Sequence, residues 1–186
     1  MGRFFTLLLL ILIPFVGVAQ EHDEEHNEHE GSEHVHHHQI GIIMGHSHVS
    51  QGFVEEGKKY RILASWALFY NYKFNEKWGI GLHVDWIVED FEVERHLNSG
   101  PEDIILREKP IAPVVVGVFK PTKHSSFMLG MGLEIANGEN FILTRIEYEW
   151  STPIDNKWEL IIPASYDFRW DAYDMWSLGI GVSRVF

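Results

Sequence analysis

Trp176-Ser-Leu-Gly-Ile-Gly-Val-Ser-Arg-Val-Phe186 alternates along its whole length. Trp176, Leu178, Ile180, Val182 and Phe186 share one parity, interrupted only by Arg184. Ser177, Gly179, Gly181, Ser183 and Val185 share the other. Successive side chains of a strand point to opposite faces. The segment therefore has one bulky apolar face and one small, mostly polar face. It is expected to be the strand that closes the fold, and its parity orients the rest of the chain.

Seven more alternating segments lie upstream, at approximately 39–48, 58–74, 78–90, 111–120, 125–136, 141–151 and 157–169, with the eighth at 175–186. In the second, Tyr60, Ile62, Ala64, Trp66, Leu68, Tyr70, Tyr72 and Phe74 oppose Arg61, Leu63, Ser65, Ala67, Phe69, Asn71 and Lys73. In the third, Trp78, Ile80, Leu82, Val84, Trp86 and Val88 oppose Gly79, Gly81, His83, Asp85, Ile87 and Glu89. Three connections are tight, turn-forming runs: Asn75-Glu76-Lys77, Pro121-Thr122-Lys123-His124 and Pro153-Ile154-Asp155-Asn156. The others are generally longer, and Asp90 to Pro110 spans about twenty residues. Short turns at one end and longer loops at the other imply an even-stranded up-and-down barrel with both termini on the turn side.

Alternation alone does not say which face is outside. Trp and Tyr at the strand ends suit the girdles of a membrane barrel. The opposite face combines Gly with charge, which suits a cramped lumen, and eight strands leave an interior just wide enough for side chains. The chain is thus read as all-β, an eight-stranded antiparallel transmembrane up-and-down barrel over residues 39–186. This segment and its terminal strand resemble the small outer-membrane barrels of the OmpA-transmembrane and OmpX type. The resemblance implies a Gram-negative outer membrane, barrel lipid as surroundings, and periplasmic chaperones and insertion machinery as partners. That family is functionally mixed, so the fold says little about the task.

Composition narrows the rest. The 186 residues lack cysteine, which removes disulfide and thiol chemistry. A net charge of −12 argues against nucleic acid as a partner. Residues 1–19 read as a signal peptide: Arg3, an apolar run from Phe4 to Val16, then Gly17-Val18-Ala19 before Gln20.

Residues 20–38 differ in kind. Seven His and seven acidic residues lie between Glu21 and His38, so a disordered tail is expected, placed in the periplasm. His22, His26, His29, His34, His36, His37 and His38, with His46 and His48 on one face of the first segment, are the candidate metal ligands. Imidazole and carboxylate suit weakly bound Zn, Ni or Cu, with no obligatory cofactor. Metal-uptake proteins are then the candidate partners, and the barrel is expected to be a monomer. A second set of residues should face the lumen: Arg61, His83, Asp85, Glu89, Glu134, Arg145, Glu147, Glu149, Glu159 and Asp167. Buried charge must be compensated, so an ion-paired lumen is favoured over an ion or proton pathway. Ser65, His83 and Asp85 share the inward parity, but no catalytic motif accompanies them, and no enzyme is expected. The function read from the sequence is a non-enzymatic barrel tied to transition-metal binding or acquisition. The alternatives are a structural or adhesive barrel without a metal role, and a soluble periplasmic ligand-binding barrel.

Overall fold

The computed structural model of this chain describes residues 37–50, 61–95 and 104–186. The signal segment, the tail up to His36 and the start of the second alternating segment lie outside the described residues. Ten strands follow in order: β1 (His38–Val49), β2 (Arg61–Lys73), β3 (Trp78–Ile87), β4 (Phe91–Glu94), β5 (Ile104–Arg107), β6 (Ile111–Phe119), β7 (Ser125–Glu134), β8 (Phe141–Pro153), β9 (Trp158–Arg169) and β10 (Asp174–Val185). Eight of them close an antiparallel barrel in the order β1-β10-β9-β8-β7-β6-β3-β2. β10 is the closing strand, in register with β1 from Gln39↔Val185 to Val49↔Met175. Closure leaves no open sheet edge in the wall.

Within the eight wall strands parity predicts the faces correctly. Ile40, Ile42, Met44, Leu68, Ile80, Leu82, Leu129, Met131, Ile146, Leu178 and Ile180 form an exposed aliphatic band on the outside. Aromatic side chains border it. At the turn end stand Tyr70, Tyr72, Trp78, Phe127, Tyr148, Trp150, Trp158 and Phe186. At the loop end stand Tyr166, Phe168, Trp170 and Trp176, with Trp66 stacked beside Trp86. A ligand-binding barrel with its apolar face inside is the reverse of this arrangement.

The short turns share one device. Asn75 Oδ1 accepts the amides of Lys77 and Trp78, both at 2.9 Å. Asp155 Oδ1 accepts those of Lys157 at 2.7 Å and Trp158 at 2.9 Å. Thr122 Oγ1 accepts those of His124 and Ser125. Each side chain satisfies amides that the ladder leaves free at the bend.

The sequence reading treated residues 90–110 as an acidic loop. Part of that stretch is instead the β4–β5 hairpin, paired from Phe91↔Arg107 to Glu94↔Ile104. Phe91 and Val93 are buried against Val49, Leu63, Ile87, Phe141, Tyr173 and Met175. These residues form an apolar plug at the loop end of the lumen. The alternation Phe91-Glu-Val-Glu94 already carried the signal, in a run too short to stand out from a loop.

Candidate functional site

Below the plug the lumen is filled by a connected set of polar side chains. It begins at the turn end, where Gln39 donates to Glu159 and to Ser183, both at 3.0 Å. Asn71 donates to Gln39 at 3.4 Å, and its Oδ1 lies 3.1 Å from His83 Nε2. The other ring nitrogen of His83 lies 3.4 Å from Glu147. Glu147 is 3.9 Å from Arg145, which forks onto Asp167 at 2.7 and 2.8 Å and also pairs with Asp85. Asp167 lies 3.8 Å from Arg169. Arg169 pairs with Glu134, which also takes Arg107 at 2.7 Å and the Tyr173 hydroxyl at 2.6 Å. Arg107 finally donates to the Glu139 carbonyl at 2.7 Å.

The wall places these groups by simple geometry. Arg145 and Asp167 are direct cross-strand partners on β8 and β9, so a fork onto the carboxylate needs no backbone distortion. Gly81 faces Asn71 across β2–β3, and a Cβ there would collide with the Asn71 amide oxygen. A side chain at residue 81 would therefore displace the link between Gln39 and His83. At the mouth, burial pushes the Tyr173 phenol well above its ordinary range, so it stays a donor to Glu134.

Most of the lumen set named from the sequence meets here. His83, Asp85, Glu134, Arg145, Glu147, Glu159 and Asp167 all belong to the connected set. Glu149 is buried near them and lines a cavity of about 10 Å³ with Lys73 and Lys120. Arg61 faces inward at the loop end of β2, half-buried and outside the connected set. Glu89 is a correction: β3 ends at Ile87 as the chain leaves the wall for the hairpin, and Glu89 lies exposed beyond it. Arg107, Arg169 and Tyr173 were not named. Arg169 has the inward parity of Asp167, so extending that parity by two residues finds it. Arg107 and Tyr173 become lumen residues only because hairpin and turn fold inward, which no local pattern reports.

This arrangement links side chains of neighbouring strands across the lumen. Arg145 and Arg169 both stand within this chain of contacts, and a guanidinium does not deprotonate in a protein. A cavity of about 30 Å³ opens near Ser65, His83, Asp85, Glu147, Ser165 and Ser177, with room for about two waters. Ser65 lines this cavity with His83, whose ring is held by Asn71 and Glu147.

The candidate metal ligands separate. His22, His26, His29, His34 and His36 lie outside the described residues. His37 and His38 are held on the wall at the turn end: His37 Nδ1 lies 2.8 Å from the Lys73 carbonyl and His38 Nδ1 lies 2.7 Å from the Tyr70 hydroxyl. His46 and His48 share the outward face, as their spacing requires, and His48 stacks on Trp176 at 3.7 Å. Ten strand residues separate His38 from His48, about 33 Å of rise, so the two pairs cannot share an ion. No group of three or more His, Cys, Asp or Glu side chains able to hold a metal occurs among the described residues.

A closed eight-stranded antiparallel wall, apolar outside and ion-paired within, is the architecture of the small outer-membrane barrels. No protein-family model matches this chain, and no curated protein matches it in sequence. Solved structures do match in fold. Ail, the attachment invasion locus protein of Yersinia pestis, in complex with the heparin analogue sucrose octasulfate, superposes with a TM-score of 0.55 at 16% identity, over 80% of this chain and 97% of that one. Neisserial surface protein A gives 0.51 at 11% identity, over 80% and 97%. The outer membrane protein OprG from Pseudomonas aeruginosa gives 0.50 at 14% identity, over 80% and 95%.

Proposed function

We propose that this chain is a non-enzymatic outer-membrane barrel that acts as a sealed anchor, and that its N-terminal His/acid tract binds divalent transition metals at the turn end. The apolar exterior carries the membrane part of this reading. A soluble monomer rarely exposes a contiguous apolar patch above a few hundred Å². Here the aliphatic band and its aromatic borders run round the wall. Only lipid satisfies such a surface, and the fold neighbours are outer-membrane barrels. The filled lumen gives the barrel no substrate passage, so its task is assigned to what its ends carry.

The metal part rests on the composition of residues 20–38, where imidazole and carboxylate alternate closely enough to raise local ligand concentration. His37 and His38 are tied to the wall through Nδ1, an arrangement that orients Nε2 of a histidine as a ligand, so both remain part of the tract. In this reading the tract lies in the periplasm, the side on which the short turns of such barrels stand.

Two experiments test the two parts. The protein should sediment with outer membranes after a carbonate wash and need detergent for release; recovery in the soluble periplasm would sink the membrane reading. Zinc calorimetry should give exothermic, multi-site binding with the full chain and little with a version lacking residues 20–36. Equal, negligible heats would remove the metal role and leave a structural or adhesive barrel. That second reading draws on the hairpin displayed at the loop end. Its ligand would not be a sulfated polyanion of the kind bound to Ail. Glu89, Asp90, Glu92, Glu94, Glu139 and Asp171 stand exposed or half-exposed around this loop end and would repel it.

A further inference from the structure

The outward face of the wall is almost free of charge. By parity, its described strand residues include, histidine aside, only two side chains charged at neutral pH, Asp174 and Arg184, at opposite ends of β10. Asp174 is answered within the protein, since the Tyr166 hydroxyl donates to it at 2.8 Å. Arg184 forms no ion pair among the described residues. Its guanidinium lies 5.9 Å from the ring centre of Trp158, its cross-strand partner on β9. Around it stand the rings of the turn-end girdle: Phe186 stacked on His38 at 5.6 Å, with Tyr70 beside them. The Lys157 carbonyl accepts the Val185 amide at 2.8 Å, which fixes the end of β10 beside Trp158 at this rim.

We infer that Arg184, held over Trp158, is a docking site for the phosphate headgroup of an anionic phospholipid in the leaflet at the turn end. This rests on the membrane reading. A guanidinium at the border of the hydrocarbon needs a compensating anion, and snorkelling carries it only as far as the headgroups. Asp155 in the neighbouring turn is turned to the Lys157 and Trp158 amides, and no carboxylate of the described residues reaches ion-pair distance of Arg184, whereas a phosphodiester offers two oxygens in the geometry a guanidinium forks onto. The indole face holds the cation in place without neutralising it, so the charge remains available to lipid. Charge complementarity therefore favours an anionic headgroup over a zwitterionic one, whose own ammonium competes for the phosphate.

Native mass spectrometry of the full chain, released from detergent after equilibration with phosphatidylglycerol or phosphatidylcholine, reads the site directly. The wild type should retain one phosphatidylglycerol about fivefold more strongly than phosphatidylcholine, the preference that one basic residue near a charged lipid surface supplies. Arg184→Gln should abolish the preference, and Arg184→Lys should keep part of it. Lys77→Gln, on a different turn, should leave it unchanged. Millimolar inorganic phosphate should not displace the lipid. Displacement would mean that the site recognises free phosphate and would overturn the headgroup assignment. Each variant is checked for insertion into vesicles by its unboiled gel mobility. If Arg184→Gln inserts normally and retains phosphatidylglycerol like the wild type, the site is refuted while the membrane reading stands. If the wild type itself fails to insert, both fall.

Discussion

Arg145 is the residue whose removal tests the lumen most sharply. It is buried and answers three carboxylates: Asp167 through a fork at 2.7 and 2.8 Å, Asp85 by an ion pair, and Glu147 at 3.9 Å. Arg145→Met keeps much of the volume and deletes the charge. Glu147 then retains His83 at 3.4 Å, and Asp167 retains Arg169 at 3.8 Å. Asp85 loses its ion pair, and its side chain is 25% exposed toward the small cavity, so water shares the burden. Removing one partner of a buried pair costs about 3–5 kcal/mol, and these residual contacts place the cost near 3 kcal/mol. With an m-value of about 2 kcal/mol/M, the urea midpoint should fall by about 1.5 M. The assay is urea unfolding in lipid vesicles, followed by tryptophan fluorescence and by the mobility of unboiled samples on gels. Asp85→Asn added to Arg145→Met should recover part of the loss, because it deletes the orphaned charge; this non-additivity identifies the pair. A midpoint shift below about 0.3 M for Arg145→Met, or no recovery in the double variant, would show that hydration rather than Arg145 compensates these carboxylates and would refute the reasoning.

Three further outcomes follow from the same structure. Tyr173→Phe should cost about 1.5–3 kcal/mol, the worth of a hydrogen bond to a charged group. Because burial raises the Tyr173 phenol above its unfolded value, the stability it supplies is complete below pH about 10 and is lost as pH rises further. The gap between wild type and Tyr173→Phe should therefore close in alkali, and a constant gap would contradict this. In planar bilayers the wild type should show no resolved openings. Phe91→Ser with Val93→Ser, which loosens the plug, should also show none, because the Arg145 tier still fills the lumen; stable conductance steps in either would contradict a sealed barrel. Asn75→Ala should lower the urea midpoint by about 0.5 M, equivalent to about 1 kcal/mol for a lost turn acceptor, while Asn75→Asp should be neutral since Asp155 serves the equivalent turn.

Much of this barrel can be read without coordinates, because period-two alternation is a local property. Leu178, Ile180 and Val182 outside with Gly179 and Gly181 inside set a parity that every other wall strand obeys. Strand number, turn positions and the inward assignment of Arg145, Asp167 and His83 follow from it. Local reading failed where the chain leaves the wall. It carried β3 three residues too far and so placed Glu89 inside the lumen. It also passed over the hairpin, whose four-residue strands are too short for periodicity to separate them from a loop.

The sequence by itself thus determined which residues face in and which face out, since each strand decides that through its own backbone. Only the tertiary structure decided who meets whom. Arg107 reaches Glu134 because the hairpin folds back over the mouth, Arg145 prefers Asp167 to Glu147 because β8 and β9 set them opposite, and His48 stands about 33 Å from His38 because β1 runs straight through the wall. Ion pairs and ligand sets depend on distances of a few ångströms across strands far apart in the chain. Register and closure set those distances, and no single segment encodes them.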